Sequence, residues 1–135
     1  MYEVSIKTHF SAAHHLKGYK GCCSKPHGHN WEVTVHIRGR DLDKLGILVD
    51  FRLVKSLLKK ALDKLDHADL NKVRSFAGRN PTSENIARHL YDELRKALPP
   101  RRCRLARVTV SETPGNLVEY REDEREQEKK VRGKG

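Results

Sequence analysis

Residues 31–38 read Trp31-Glu32-Val33-Thr34-Val35-His36-Ile37-Arg38, and this alternation decides the fold class. Trp31, Val33, Val35 and Ile37 fall on one face, and Glu32, Thr34, His36 and Arg38 on the other. Period two with β-branched residues on the apolar side is the pattern of a half-buried strand. Tyr2 to Phe10 alternates in the same way, with Tyr2, Val4, Ile6, Thr8 and Phe10 opposite Glu3, Ser5, Lys7 and His9. Leu105 to Glu112 predicts a third strand whose apolar face is Ala106, Val108 and Val110, with Glu112 in phase. Thr113-Pro114-Gly115-Asn116 is a turn, and Leu117 to Tyr120 is a short last strand.

Between the second and third strands the period changes to that of helices. Asp50 is a good N-cap. Phe51, Val54, Leu57, Leu58, Ala61, Leu62 and Leu65 follow at 3/4 spacing, with Lys55, Lys59, Lys60 and Lys64 opposite. Asn80-Pro81-Thr82-Ser83-Glu84 starts a second helix, with a hydroxyl at the N-cap and a glutamate in the first turn. Ile86, Ala87, Leu90, Leu94, Ala97 and Leu98 form its stripe, and Pro99-Pro100 ends it. The order is β-β-α-α-β-β, an α+β chain with antiparallel hairpins.

At 135 residues the chain is one domain in size. Hydrophobic residues make up 36% and charged residues 34%, so the core is lean and oligomerisation is a reasonable way to bury more surface. No apolar run exceeds Ile47-Leu48-Val49, far from the ~20 residues of a membrane span. Met1-Tyr2-Glu3-Val4 has no charged, then apolar, leader pattern, so a cytoplasmic location is expected. Arg121 to Gly135 holds six basic and five acidic residues and one aliphatic, Val131, and it reads as a disordered or loosely helical tail that buries nothing. The expected division is a domain over 1–120 and a tail over 121–135.

The net charge of +10 admits three readings: a nucleic-acid surface, a pocket for a small polyanion, or a solvated ionic surface. Aromatics are only 6% and no DNA- or RNA-binding motif is present, which makes nucleic acid the unlikely partner. Three cysteines, Cys22, Cys23 and Cys103, argue against a disulfide framework and leave metal or thiol chemistry open.

The connection from Ser11 to His29 is long, and long loops in compact domains are usually functional. It ends in His27-Gly28-His29 at the entry to a strand, which puts both imidazoles on one face. That is a two-ligand arm for zinc, with His14 or His15 as a third ligand if strand pairing brings them across. A structural knuckle using Cys22 or Cys23, and a turn that merely holds two polar residues, are the alternatives. Asp66-His67 is an orienting carboxylate beside an imidazole, or a polar helix end favoured by the dipole. Glu112 is either a partly buried acid that needs a partner with paired N–H donors or a strand end already in solvent.

Taken together, Phe10-Ser11-Ala12-Ala13-His14, Cys23-x3-His27-Gly28-His29, Val49-Asp50-Phe51, Leu65-Asp66-His67-x2-Leu70-Asn71, Asn80-Pro81-Thr82-Ser83-Glu84-Asn85 and Glu112-Thr113 resemble the 6-pyruvoyltetrahydropterin and 6-carboxytetrahydropterin synthase family. The pieces keep their order over residues 2 to 120. The resemblance implies the tunnelling fold, an antiparallel sheet with two helices on one face whose subunits join into a barrel. It implies homohexamers of two trimers with sites between subunits. His14, His27 and His29 match the zinc ligands, and Cys23 the catalytic thiol. Asp66 and His67 match the Asp-His pair, Glu112 the acid that grips the pterin ring, and Thr82 and Ser83 a segment of the pterin pocket.

Cys23 precedes His27 by four residues, which is similar to the bacterial carboxy-forming branch that acts in queuosine biosynthesis. The implied reaction is zinc-dependent conversion of 7,8-dihydroneopterin triphosphate to 6-carboxy-5,6,7,8-tetrahydropterin, a carbon–carbon lyase reaction that releases acetaldehyde and triphosphate. Formation of 6-pyruvoyltetrahydropterin is the alternative within the family. A basic nucleic-acid-binding domain with a structural zinc, and a metal-dependent pterin-binding regulator without turnover, are alternatives of other kinds.

Overall fold

The computed structural model describes residues 1–21, 24–99, 102–123, 129, 132 and 133. Strands β1 (Tyr2–His14) and β2 (His27–Gly39) form a long hairpin. Helices α1 (Phe51–Asp63) and α2 (Ser83–Ala97) follow, then β3 (Cys103–Thr113) and β4 (Asn116–Tyr120). The sheet is antiparallel in the order β1-β2-β3-β4. The sequence therefore foretold every main element in its order. Two short 3-10 turns, Leu70–Lys72 and Arg74–Phe76, had no periodic signal because each is only one turn long.

Both helix starts are capped as their residue types require. Asp50 accepts from the Arg52 amide at 2.8 Å, and Thr82 accepts from the Asn85 amide at 3.1 Å. The buried stripe of α1 (Val54, Leu58, Ala61, Leu62) and that of α2 (Ile86, Ala87, Leu90, Leu94) join Phe10, Trp31, Val33, Val35, Val108 and Val110 in one core. Both helices thus cover one face of the sheet. No helix among the described residues is long and apolar enough to cross a membrane.

Two expectations need correcting. The apolar face of β3 is Leu105, Val108 and Val110 rather than Ala106, Val108 and Val110. The register shifts between His36 and Ile37, which pair with Arg107 and Leu105, so Ala106 is an extra residue in a bulge. The packed chain also runs past 120, because Glu122 is buried with its carboxylate 3.8 Å from the Arg95 guanidinium. Most of 124–135, the rest of the expected tail, lies outside the described residues.

The face of the sheet away from the helices is polar and crossed by ion pairs. Glu3 on β1 meets Arg38 on β2 at 2.6 Å and Arg107 on β3 at 2.7 Å, and Arg107 meets Glu119 on β4 at 2.8 Å. One chain of charges therefore spans all four strands. Hydrogen bonds from Arg107, then Arg38, pull the Glu3 carboxyl down to about 2. A lowered folded-state value means that Glu3 stabilises the fold above its unfolded pKa near ~4.3, and that this contribution fades as pH falls toward 2. Glu3→Gln should therefore melt a few degrees (~2–8 °C) below the parent at pH 7. The gap should narrow steadily as pH falls from about 4.5 toward 2; a constant gap in thermal melts monitored by circular dichroism would show that charge is not its cause.

Candidate metal centre and its surroundings

The β1–β2 ladder runs in unbroken register from Tyr2↔Gly39 to His14↔His27. Two consequences follow from that register and the pleat. His14 lies directly across from His27, and His29, two residues further along the same strand, shares the face. His14, not His15, is thus the third imidazole of the group. The ring of His14 lies 4.5 Å from that of His27 and 5.4 Å from that of His29. Trp31, fully buried, forms the floor, with its ring 4.8 Å from His14 and 5.4 Å from His29. Its indole N–H donates to the Ala12 carbonyl at 3.3 Å. The hydrophobic core thus continues directly into the polar site.

Glu112, near the end of β3 and about a third exposed, faces all three rings. Its Oε1 lies 3.1 Å from His14 Nε2, 3.7 Å from His27 Nε2 and 2.6 Å from His29 Nε2. The four side chains can each offer one ligand atom, and these atoms all lie within 4.8 Å of one another.

The outer nitrogens decide what the inner ones can do. His14 Nδ1–H donates to the Pro81 carbonyl at 2.8 Å, and His27 Nδ1–H donates to the Lys25 carbonyl at 2.8 Å. A carbonyl only accepts, so both protons are assigned to Nδ1. Rings so fixed turn their Nε2 atoms toward the carboxylate. His29 Nε2 is buried and makes no hydrogen bond of acceptable geometry. Burial is the largest influence on His29 and pushes its pKa below the ordinary imidazole value, outweighing Glu112, which favours the neutral ring. Three imidazoles that converge with a carboxylate, one of them with a buried Nε2 that has no hydrogen-bond partner, form a group that a cation would satisfy. Three imidazoles, two of them oriented by backbone carbonyls through Nδ1, suit a divalent ion of zinc's type.

Asp66 and His67 follow α1 and dock on β1 at Ser11. Asp66 Oδ1 accepts from the Ser11 amide at 2.9 Å and sits 3.0 Å from His67 Nδ1. The Ser11 hydrogen bond, followed by His67, holds the Asp66 carboxyl below its usual range. The His67 amide donates to the Ser11 carbonyl. His67 has φ +59°, the one non-glycine residue with positive φ among those described, and its side chain is 80% exposed. The pair is therefore a built turn docked on the strand, three residues from His14, rather than a frayed helix end.

Thr82 and Ser83 sit where Pro81 holds His14, at the start of α2. The Thr82 oxygen accepts as the cap, which leaves its hydroxyl hydrogen for another partner. Cys23, with Cys22, lies outside the described residues. Cys103 is half-buried, and burial raises its thiol pKa, so it is not the reactive type. Residue types alone could not reveal the Pro81 and Lys25 carbonyls, because any residue supplies one. Trp31 was legible as a core residue but not as the floor of the site.

The family model described as 6-pyruvoyl tetrahydropterin synthase matches residues 3–123. The chain is 32% identical to the Bacillus subtilis 6-carboxy-5,6,7,8-tetrahydropterin synthase over 127 residues, covering 89% of this chain and 85% of that one. It is 34% identical to the Dictyostelium discoideum 6-pyruvoyl tetrahydrobiopterin synthase over 124 residues, covering 83% and 90%. The solved 6-pyruvoyl tetrahydropterin synthase of Caenorhabditis elegans superposes with a TM-score of 0.79 at 32% identity, covering 91% of this chain and 98% of that one. The tunnelling fold, the order of the motifs and the converging histidines agree with these matches, and the chain belongs to the 6-pyruvoyl tetrahydropterin synthase family.

Proposed function

We propose that this chain converts 7,8-dihydroneopterin triphosphate to 6-carboxy-5,6,7,8-tetrahydropterin, with release of acetaldehyde and triphosphate, as a cytoplasmic step toward queuosine. The observation that carries the reading is the convergence of three imidazole Nε2 atoms and Glu112 on one point. The four-residue step from Cys23 to His27 and the name of the Bacillus subtilis relative favour the carboxy product. The names of the Dictyostelium relative and the Caenorhabditis elegans structure keep 6-pyruvoyltetrahydropterin as the second reading.

In this reading His14, His27 and His29 hold zinc, which when bound acts as a Lewis acid on the oxygens of the substrate side chain. Cys23, as thiolate, accepts a proton from that side chain. Asp66, kept ionised by the Ser11 amide, holds His67 by Nδ1 and leaves Nε2 to move a second proton at the exposed side of the turn. Glu112 grips the N–H edge of the pterin through paired, charge-assisted hydrogen bonds, with Thr82 and Ser83 beside it. His67 is too exposed in a single chain to work in a closed site. The sheet also ends in two edges, β1 and β4, which a lone subunit must protect. A homohexamer of two trimers, with sites completed between subunits, answers both.

The deciding experiment incubates the purified zinc protein with dihydroneopterin triphosphate and identifies products by mass spectrometry. The carboxy product with acetaldehyde is expected; a pyruvoyl product installs the second reading, and no turnover removes both. Sedimentation of the same preparation as a monomer would remove the shared site.

Metal content separates the roles of the four clustered side chains. His27→Ala should lose the bound zinc. Glu112→Gln should keep it while kcat/KM falls by the equivalent of about 2–4 kcal/mol. Zinc lost from Glu112→Gln would make Glu112 a ligand instead. Sulfur around the metal in zinc-edge absorption would restore the cysteine knuckle.

The adjacent cysteines give a sharper contrast. Only Cys23 has the family's position, four residues before His27. Cys23→Ala should cost roughly 10²–10⁴ in turnover with zinc and assembly intact, whereas Cys22→Ala should change the rate only slightly. If both variants stay active, the proton acceptor is not a thiol.

A further inference from the structure

Two stretches of this chain contain no carboxylate at all. Residues 4–31 hold Lys7, Lys17, Lys20 and Lys25 and no acid, and residues 70–83 hold Lys72, Arg74 and Arg79 and no acid. The fold brings the two stretches together. Asn71 clasps His15, its Oδ1 accepting from the His15 amide at 2.8 Å and its Nδ2 donating to the His15 carbonyl at 3.0 Å. Asn80 clasps Lys17 in the same way, at 2.9 and 3.0 Å, and Asn85 in turn donates to the Asn80 carbonyl at 2.7 Å. Two residues thus tie the chain beyond β1 to the segment that leads into α2.

Against this double clasp lies a cavity of about 570 Å³, lined by Lys17, Asn71 and residues 76–80. Two of its lining residues are cations, Lys17 and Arg79, and none is an acid. Among the described residues neither cation is paired with a carboxylate, although Lys7, Arg38, Lys59 and Arg107 all are. The Arg79 guanidinium is fixed from behind, because Nε and Nη2 donate to the Ser75 carbonyl at 3.3 and 3.0 Å, and its Nη1 side keeps its donors. Gly78 lies in the lining at φ +80°, with nothing within 4 Å of where a Cβ would stand, so the backbone there is open to a ligand. Two lining residues lie close along the chain to groups of the histidine cluster. Lys17 is three residues beyond His14, at most roughly 11 Å along the chain, and Asn80 precedes the Pro81 carbonyl that holds His14.

We propose that the Lys17–Arg79 cavity is a binding site for a linear oligophosphate, and that it seats the triphosphate of the substrate while the rest of the molecule reaches the histidines. Two cations on a prepositioned backbone, neither paired with a carboxylate among the described residues and with no acid in the lining, are what a chain of phosphoryl groups requires. The second half of this inference rests on the proposed pterin triphosphate reaction; the first half does not.

Titration calorimetry of the zinc-loaded protein with inorganic tripolyphosphate tests it, with Lys17→Ala/Arg79→Ala beside the parent. The double variant should bind tripolyphosphate at least tenfold more weakly, while Lys17→Arg/Arg79→Lys keeps most of the affinity and Lys55→Ala/Lys59→Ala, on the outer face of α1, changes it little. All variants keep the three histidines, so binding through the metal would survive in the double alanine variant, and unchanged affinity there overturns the site. In turnover, the double variant should raise KM for dihydroneopterin triphosphate at least tenfold with kcat within about threefold. If the parent turns the substrate over and KM does not move, the site fails and the reaction stands. If the parent shows no turnover but tripolyphosphate affinity falls in the double variant, the site stands and the reaction fails.

Discussion

The register of one hairpin carries the rest of the molecule. With His14 opposite His27, Phe10, Ala12 and His14 fall on the covered face of β1, and His27, His29, Trp31, Val33 and Val35 on that of β2. Slipping the pairing by one residue would turn one of those rows toward the other side of the sheet. The imidazoles and the core are thus specified by the same pattern. Trp31 makes this concrete, since it stacks on Phe10 with ring centres 5.9 Å apart and stands edge-on to His14 and His29. A cluster of three polar rings can sit at the end of a hydrophobic layer because the backbone carbonyls of Pro81 and Lys25 take up the protons that would otherwise be buried unpaired.

Charge is arranged differently on different parts of this chain. On the polar face of the sheet, Glu3, Arg38, Arg107 and Glu119 neutralise one another across four strands. In the lining of the cavity beside the histidine cluster, Lys17 and Arg79 stand without an acid. The net charge of +10 is therefore not spread evenly. Across the sheet the matched charges link all four strands, whereas the two cavity cations have no carboxylate partner among the described residues. Such unmatched charge raises the local concentration of an anion and speeds its arrival.

Most of the fold was legible because both periods were clear. Val33, Val35 and Ile37 alternate, and Val54, Leu58, Ala61 and Leu62 recur at helical spacing. What was not legible depends on partners. The bulge at Ala106 exists only relative to His36 and Ile37, and nothing in Leu105-Ala106-Arg107-Val108 announces it. The buried residues Leu70 and Phe76 lie in turns too short to show a period. For the site, the Asp50 and Thr82 caps followed from their residue types, and so did the His-Gly-His arm. The choice between His14 and His15 did not, since only pairing with His27 selects one of two adjacent histidines. The closeness of Glu112 to all three rings was equally hidden, because it needs the ends of β1, β2 and β3 side by side.

His67 holds a left-handed backbone conformation that costs a non-glycine residue on the order of 1 kcal/mol or more, in a turn docked by the Ser11 amide and carbonyl. Glycine would fit that conformation without strain, and asparagine with little. Random substitution at this position thus meets an unusual gradient, in which the changes most comfortable for the backbone are those that remove the imidazole. A selection for heat resistance alone would draw this turn toward a sturdier protein with an emptier site, while a selection for proton transfer would keep the strained histidine and leave the tightening to other parts of the chain.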